Sequence, residues 1–367
     1  MPHDLKNLMH ETADLDFAAP DVAAIARAGD RRLRHRRLGA GVAGLAAAAV
    51  LAGGVVLAIG GDGPSRVASE PPSAPLPPGL SWAGGTVLHT STGDIDTGHQ
   101  VRAYVRAGSD FAFTDGQGAV FAVTGGTVER IGSIATKNPR LVSDPDGSIV
   151  AWLDPSGPAP AYHDYDLATG ESGSWTAELG KSEFSGLIGV DGTWVVWRDE
   201  AGENAWNTLD GTVRPIDPDP PVDSPLVGVG GGRSAWEGSA GLLVGADRAD
   251  ALQLKGAYGG RAVFSPDGRW VGVDADDIEV WDVATATKIA FDVDGRDFAA
   301  VYEWLDADTV AAIAVRDVAD SGDTGTSPYE LLTCEVPSGA CAKVLDLGDQ
   351  TVFGKTRTVA YGRLLDD

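Results

Sequence analysis

The stretch FSPDGRWVGV, residues 264–273, decides the fold. Its Asp-Gly pair supplies the positive φ that a tight hairpin turn needs, and the apolar run after it is typical of a strand that is covered on both faces. Related segments occur elsewhere as DGSIVAW (146–152), DGTWVVW (191–197) and GGRSAW (231–236). The chain therefore repeats a glycine turn that is followed, five residues on, by a large apolar residue.

Weaker copies extend the repeat along the chain, at an average spacing of about 41 residues. The marked apolar positions are Phe113, Trp152, Trp197, Trp236, Val273, Ile313 and Tyr361. In a Gly-rich β protein, a period of this length indicates propeller blades of four strands each. Further strands are predicted at 161–167, 278–283 and 329–334, and an outer strand at 288–291.

We therefore predict an all-β propeller of about seven four-stranded blades, with six or eight also compatible. Six complete blades fit between about 101 and 350. The two ends of the domain are expected to join in the remaining blade, with two strands from Thr351–Leu364 and two from Gly84–Gly98. Such a junction closes the ring and removes exposed strand edges.

The repeat resembles that of a known family. FSPDGRWV (264–271) is similar to the FSPDG repeat of TolB-like and WD-repeat-like bacterial propellers, and VSDPDG (142–147) is an expanded version. IEVWD (278–282) resembles the strand that carries a Trp-Asp dipeptide. The resemblance covers roughly residues 82–364, implies blade architecture, and implies little about activity. The Ala-, Gly-, Asp- and Arg-rich composition is similar to that of high-GC actinobacteria.

Composition excludes two broad classes of protein. The 367 residues carry a formal net charge of −25, which argues against a nucleic-acid surface because such a surface needs a basic footprint. The hydrophobic fraction of 43% argues against general disorder.

The N-terminal part predicts a membrane anchor. Residues 1–37 end in a block of six arginines, residues 38–60 (Leu38–Gly60) carry no charged or polar side chain, and residues 61–79 contain six prolines. About twenty apolar residues span a bilayer, and the basic flank favours a cytoplasmic N-terminus. We predict a cytoplasmic segment 1–37, a transmembrane helix 38–60, an extended linker 61–79 and an extracytoplasmic propeller 80–367, held by one span in the plasma membrane. A cleaved export signal and a buried core helix are the alternatives.

Two cysteines, Cys334 and Cys341, flank a predicted turn at Pro337-Ser338. A two-residue turn would place them opposite each other on adjacent strands, within disulfide reach. The predicted location outside the membrane is a compartment where disulfides persist, so we predict a disulfide. Two free thiols are the alternative.

No familiar catalytic or cofactor motif occurs, so we predict no catalytic residue, no cofactor and no resident metal. Asp292, Asp294 and Asp297 resemble half of a calcium-binding loop and are the calcium candidates. The loop lacks the later bidentate Glu and contains Arg296. Because aspartate is common in turns for its local hydrogen bonds, the structural interpretation of these three residues is favoured.

Some of the tryptophans are candidates for residues that contact a ligand. Trp152, Trp197 and Trp236 recur at one repeat position, which indicates core packing. Three further tryptophans fall outside that pattern and are the candidate contact residues: Trp82, Trp175 and Trp206.

Three functional hypotheses follow. The first is a non-catalytic binding or sensing module for an extracytoplasmic protein, peptide or glycan. The second is an anti-sigma-like regulator that binds a cytoplasmic protein through residues 1–37. The third is a propeller hydrolase or lyase, which requires titratable groups with perturbed pKa values to converge at the central funnel.

Overall fold

A computed structural model describes residues 76–134, 139–156, 160–176, 186–199, 202–217, 224–273, 278–293, 295–296, 298–315, 328–349 and 357–362. All of them belong to one compact unit, Ala68–Asp367. These residues form seven four-stranded antiparallel sheets, which confirms the all-β propeller of seven blades.

We number the blades 1 to 7 and give their strands from the innermost outward. Blade 1 is built from β28 (Arg357–Val359), β1 (Ser81–Gly84), β2 (Val87–Thr90) and β3 (Gly93–Asp96). Blade 2 contains β4 (Ala103–Ala107), β5 (Asp110–Thr114), β6 (Ala119–Thr124) and β7 (Thr127–Ser133). Blade 3 contains β8 (Leu141–Ser143), β9 (Ile149–Asp154), β10 (Ala161–Asp166) and β11 (Ser172–Thr176). Blade 4 contains β12 (Gly186–Asp191), β13 (Trp194–Asp199), β14 (Gly202–Asn207) and β15 (Val213–Asp217).

The remaining blades follow the same plan. Blade 5 contains β16 (Leu226–Gly230), β17 (Arg233–Gly238), β18 (Gly241–Gly245) and β19 (Leu252–Lys255), with a 3₁₀ turn at Arg248–Asp250. Blade 6 contains β20 (Ala262–Phe264), β21 (Trp270–Val273), β22 (Glu279–Asp282) and β23 (Thr287–Ile289). Blade 7 contains β24 (Phe298–Trp304), β25 (Thr309–Val315), β26 (Pro328–Glu335) and β27 (Ala340–Asp349).

Blade 1 closes the ring by pairing distant parts of the chain. Its inner strand β28 is antiparallel to β1, with Val359 opposite Trp82 and Arg357 opposite Gly84. The expectation that both ends share one blade is confirmed. In the described residues, however, the split is one strand from the C-terminal part and three from the N-terminal part, rather than two and two. Tyr361 lies in a turn after β28, so it is not the second-strand residue that the weakest copy of the repeat predicted.

The other marked positions of the repeat all lie on the second strand of a blade. Phe113, Trp152, Trp197, Val273 and Ile313 are buried there, on β5, β9, β13, β21 and β25, and Trp236 is buried on β17. Each second strand has a neighbouring strand on both sides within its sheet, and neighbouring blades cover its faces. The periodic large residues are therefore the packing units of the ring.

A disulfide joins Cys334 to Cys341, which confirms the predicted pairing. The two residues are directly opposite in the β26–β27 ladder, with 4.1 Å between their Cα atoms. The turn is tight because Gly339 has φ +71°, and a side chain there would overlap the carbonyl oxygen of Ala290 in blade 6. The disulfide hairpin is thus packed against the neighbouring blade.

The start of the described chain packs on the propeller. Leu76 is 8% exposed and belongs to the core of blades 1, 2 and 7, although sequence analysis placed it in the linker. Within the described part of the chain, no helix has the length and apolarity to cross a bilayer. The predicted cytoplasmic segment and the span Leu38–Gly60 lie outside the described residues.

Candidate functional site in the central channel

The inner strands surround a cavity of about 390 Å³ on the ring axis. Consecutive inner strands are in contact from β28 through β4, β8, β12, β16 and β20 to β24. The lining contains four carboxylates and three guanidinium groups in otherwise apolar surroundings, contributed by Asp144, Asp146, Asp191, Glu303, Arg106, Arg140 and Arg261. Concave sites of this size that combine apolar walls with a few converging polar groups are typical of ligand sites.

Three inner strands carry a bulge at a similar position. The register shifts around Ile188 in β12, Val227 in β16 and Tyr302 in β24. A bulge inserts one residue and changes the direction of the side chains that follow it. The residue directly after the bulge is Gly189 in blade 4, Gly228 in blade 5 and Glu303 in blade 7.

In blades 4 and 5 this position allows close packing of the next inner strand. A Cβ on Gly189 would lie 2.9 Å from Cγ2 of Val229, and a Cβ on Gly228 would overlap the carbonyl oxygen of Ala262. These four residues form what we call the glycine seam. Any side chain at the two glycines would push neighbouring inner strands apart.

In blade 7 the same position carries a charged side chain. Nε of Arg106 donates to Oε1 of Glu303 at 2.7 Å, and both side chains are almost fully buried. The pair joins blades 2 and 7 across blade 1, whose inner strand is only three residues long. Arg106 also donates to three carbonyl oxygens, those of Gly108, Pro145 and Trp304. We call Arg106, Tyr302 and Glu303 the closing seam.

Three residues that line the cavity each carry a buried polar atom with no hydrogen-bond partner among the described residues: Oε2 of Glu303, the hydroxyl of Tyr302 and Nη1 of Arg261. Glu303 is 3% exposed and Tyr302 is 2% exposed. The guanidinium of Arg261 stacks on the ring of Tyr361 at 4.3 Å, which fixes its position. Leaving such a group buried and unpaired costs free energy.

Burial controls the protonation of these groups. It raises the pKa of Glu303, and the charges of Arg106 and Arg261 offset part of that increase. It also raises the pKa of the Tyr302 hydroxyl well above its usual value, with a further contribution from Glu303. Tyr302 is therefore a neutral hydrogen-bonding group at ordinary pH.

Aspartates in the first hairpin turns connect neighbouring blades beside the cavity. Oδ2 of Asp144 accepts a hydrogen bond from the backbone of Gly192 at 2.9 Å, and Oδ1 of Asp191 accepts one from Gly232 at 3.2 Å. Burial, together with the charge of Asp144, raises the pKa of Asp146 and of Asp191. The cavity therefore has an acidic side at blades 3 and 4.

The candidate tryptophans lie away from this cavity. Trp82 is 2% exposed and stacks on His89 at 3.8 Å, a buried position that does not suit contact with a ligand at the surface. Trp175 and Trp206 are half-buried and stack on each other at 4.7 Å between blades 3 and 4. Their ring contacts with Tyr162 and Trp197 continue the core, so packing explains much of their environment.

Of the three calcium candidates, the structure describes Asp292. Asp292 forms an isolated bridge with Ala340, and its backbone N–H donates to Gly339 at 2.9 Å. Asp294 and Asp297 lie outside the described residues. Nε of Arg296, within the same loop, donates to Glu330 at 2.7 Å. Among the described residues, no group of three potential metal ligands converges.

Sequence analysis missed Arg106, Tyr302, Glu303 and Arg261. A signal was present for two of them, because Arg106 and Glu303 are charged residues inside apolar inner strands, AYVRA (103–107) and FAAVYEW (298–304). A charge in such a strand needs a partner. Their partnership joins residues almost two hundred positions apart, and no local pattern reveals it.

The strand topology and the residues around the ring axis define a seven-bladed β-propeller with a candidate ligand site in the central channel. No family model and no curated protein matches the chain.

Similar solved structures include a putative TolB from Agrobacterium tumefaciens, with 13% identity, coverage of 77% of this chain and 98% of that chain, and a TM-score of 0.39. TolB from Acinetobacter baumannii has 11% identity, coverage of 72% and 67%, and a TM-score of 0.40. An oligogalacturonate lyase in complex with manganese has 10% identity, coverage of 67% and 78%, and a TM-score of 0.40.

Proposed function

We propose that this protein is a non-catalytic binding or sensing module whose ligand, a protein, peptide or glycan segment, enters the central channel. The observation that carries the proposal is the cavity of about 390 Å³, whose lining residues include three with a buried polar atom that lacks a partner among the described residues. A ligand that satisfies these atoms recovers the free energy that their burial costs. A rigid ring also presents the site with little loss of conformational entropy on binding.

The proposal includes a tether. The apolar run Leu38–Gly60 anchors the protein in the plasma membrane, with residues 1–37 in the cytoplasm and the propeller outside. Support comes from the arginine block before the run and from the disulfide, since disulfides persist in oxidising compartments. Protease treatment of intact cells should degrade the propeller and leave an N-terminal epitope protected. Recovery of a shortened, soluble protein outside the cell would contradict the anchor.

Binding is tested with the full-length chain in detergent on peptide and glycan arrays. A tryptophan placed at Ile188, the bulge residue that lines the channel, should fill it and weaken binding about tenfold or more. Leu209→Trp is the matched control, because Leu209 is 76% exposed on the outer hairpin of blade 4. Equal binding by both variants would place the ligand elsewhere, and no saturable binding at all would overturn the proposal.

A hydrolase or lyase is the second candidate. It is favoured by one observation, the convergence of Glu303, Asp146 and Asp191 with raised pKa values beside the cavity. Groups with perturbed pKa values are concentrated at catalytic sites, although structural ion pairs perturb pKa values as well.

Any ligand found on the peptide or glycan arrays is incubated with the full-length protein and then analysed by mass spectrometry. Repeated turnover that is lost in folded Asp146→Asn and Asp191→Asn variants would establish the enzyme. Recovery of an unchanged ligand would support the binding module.

A further inference from the structure

This inference rests on the channel of the proposed function and concerns the chemistry of its ligand. The three unpartnered atoms at the cavity have complementary characters. Oε2 of Glu303 can only accept while it is ionised, Nη1 of Arg261 can only donate, and the hydroxyl of Tyr302 can do either. A ligand that serves all three therefore carries a hydrogen-bond donor for Oε2 and an acceptor for Nη1, and each bond is strongest when the ligand group is charged.

The charged side chains that line the cavity carry a net negative charge. Four of the five N–H donors of Arg106 are engaged, one with Glu303 and three with carbonyl oxygens, so Arg106 has little capacity left for a ligand. Four carboxylates face three guanidinium groups, which leaves one excess negative charge. A ligand with two cationic groups and one carboxylate would balance this excess.

We propose that the channel binds a free basic α-amino acid, with one cationic group directed to Glu303, the other to the acidic side at blades 3 and 4, and its carboxylate to Arg261. The volume of about 390 Å³ suits a small molecule. The Tyr302 hydroxyl orients the cationic end beside Oε2 of Glu303. Charge-assisted hydrogen bonds of this kind are the strong ones, because donor and acceptor are both ionised.

The first experiment is calorimetric titration of the full-length protein in detergent with L-arginine. Agmatine, which is arginine without the carboxylate, is the matched probe for Arg261, and L-glutamate is the probe for charge sign. We expect saturable binding of L-arginine, about tenfold weaker binding of agmatine, and no binding of L-glutamate.

Two variants locate the ligand. Tyr302→Phe removes only an unpartnered hydroxyl, so the fold should be retained while arginine affinity falls about fivefold to tenfold. Tyr104→Phe is the control, because that buried hydroxyl bonds to Ser81 at 3.0 Å and does not line the cavity. Arg261→Gln should abolish the preference for arginine over agmatine.

Several results would overturn the inference: no binding of L-arginine to folded protein, equal affinity for agmatine, or an unchanged affinity in both variants. Nα-acetyl-L-arginine amide distinguishes the free amino acid from an arginine within a peptide, and tighter binding of the amide would overturn the proposed source. If a ligand found on the arrays binds in the channel and arginine does not compete with it, the proposed function is retained and this inference fails.

Discussion

The glycine seam and the closing seam follow bulges at equivalent positions of the inner strands, and both connect blades of the ring. The glycine seam connects them by close backbone packing, and the closing seam connects them by a buried ion pair. After the bulge in blades 4 and 5, glycine lets the next inner strand approach until no side chain fits. After the bulge in blade 7, the next inner strand has only three residues, and the buried pair Glu303–Arg106 connects blades 7 and 2 instead. The comparison shows that the buried ion pair of the channel lies where the ring is closed.

Breaking the closing seam should have the largest effect on stability. Arg106→Met leaves Glu303 buried without its partner and should lower the free energy of unfolding by about 3–5 kcal/mol. Urea unfolding of the full-length protein in detergent, monitored by tryptophan fluorescence, measures the loss. Lys288→Met removes the exposed pair with Glu279 and should cost at most about 1 kcal/mol. Equal costs for the two variants would contradict the structural role of the closing seam.

The glycine seam should be almost as sensitive to a single methyl group. Gly228→Ala places a Cβ against the carbonyl oxygen of Ala262 and should destabilise the protein by about 3 kcal/mol. Gly260→Ala is the matched control, since a Cβ there meets no atom within 4 Å. A Gly228→Ala variant as stable as the control would show that neighbouring inner strands adjust freely.

Removing the disulfide tests a covalent constraint in the outer hairpin of blade 7. The double variant Cys334→Ser, Cys341→Ser should lose about 2 kcal/mol, because the bond closes a short loop and constrains the unfolded chain only modestly. Denaturant unfolding with and without reductant should reproduce the loss in the wild type. If reductant destabilises the double variant as well, the measured change does not come from this bond.

A buried carboxylate between blades 3 and 4 supplies the smallest predicted effect, which depends on pH. Burial raises the pKa of Asp164 to about 6, and Gly173 packs directly over its carboxylate. Since the folded pKa lies above the unfolded value, ionisation disfavours the folded state. The contribution of Asp164 to stability therefore decreases as pH rises from about 4 to about 6 and then stays constant.

Asp164→Asn should remove this dependence and raise stability near pH 7.5 by about 1–2 kcal/mol, with little change near pH 4. Urea midpoints at the two pH values measure it. Asp210→Asn is a control of opposite sign, because hydrogen bonds from Thr212 lower the pKa of Asp210. That variant should lose stability at neutral pH and match the wild type in acid. A parallel response of both variants would contradict the assigned pKa shifts.

The fold was predictable from sequence because its signal is local and repeated. Each Asp-Gly or Gly-Gly turn sets a hairpin, and the large residue five positions later fills the space between blades, as Trp152 and Trp236 do. The blade count followed from the period. The division of the closing blade did not, because β28 and β1 pair through long-range hydrogen bonds that leave no periodic trace.

The channel site was not predictable for a related reason. Arg106 and Glu303 are single charges in apolar strands, and their meaning depends on which strands the ring brings together. Trp175 and Trp206 were predicted as contact residues because they fall outside the repeat position, and they are stacked between blades 3 and 4 instead of beside the channel. Sequence identifies the packing residues of a repeat more readily than the residues that depart from it.

The pairing of β28 with β1 also determines the timing of folding. The two strands are roughly 270 residues apart, so the ring cannot close until nearly the whole propeller has been synthesised. Until then β1 presents an unpaired edge, the type of surface that pairs with other chains. Closing the ring also aligns β24 with β4 and so assembles Glu303 with Arg106. Completion of the fold and completion of the channel are therefore the same event.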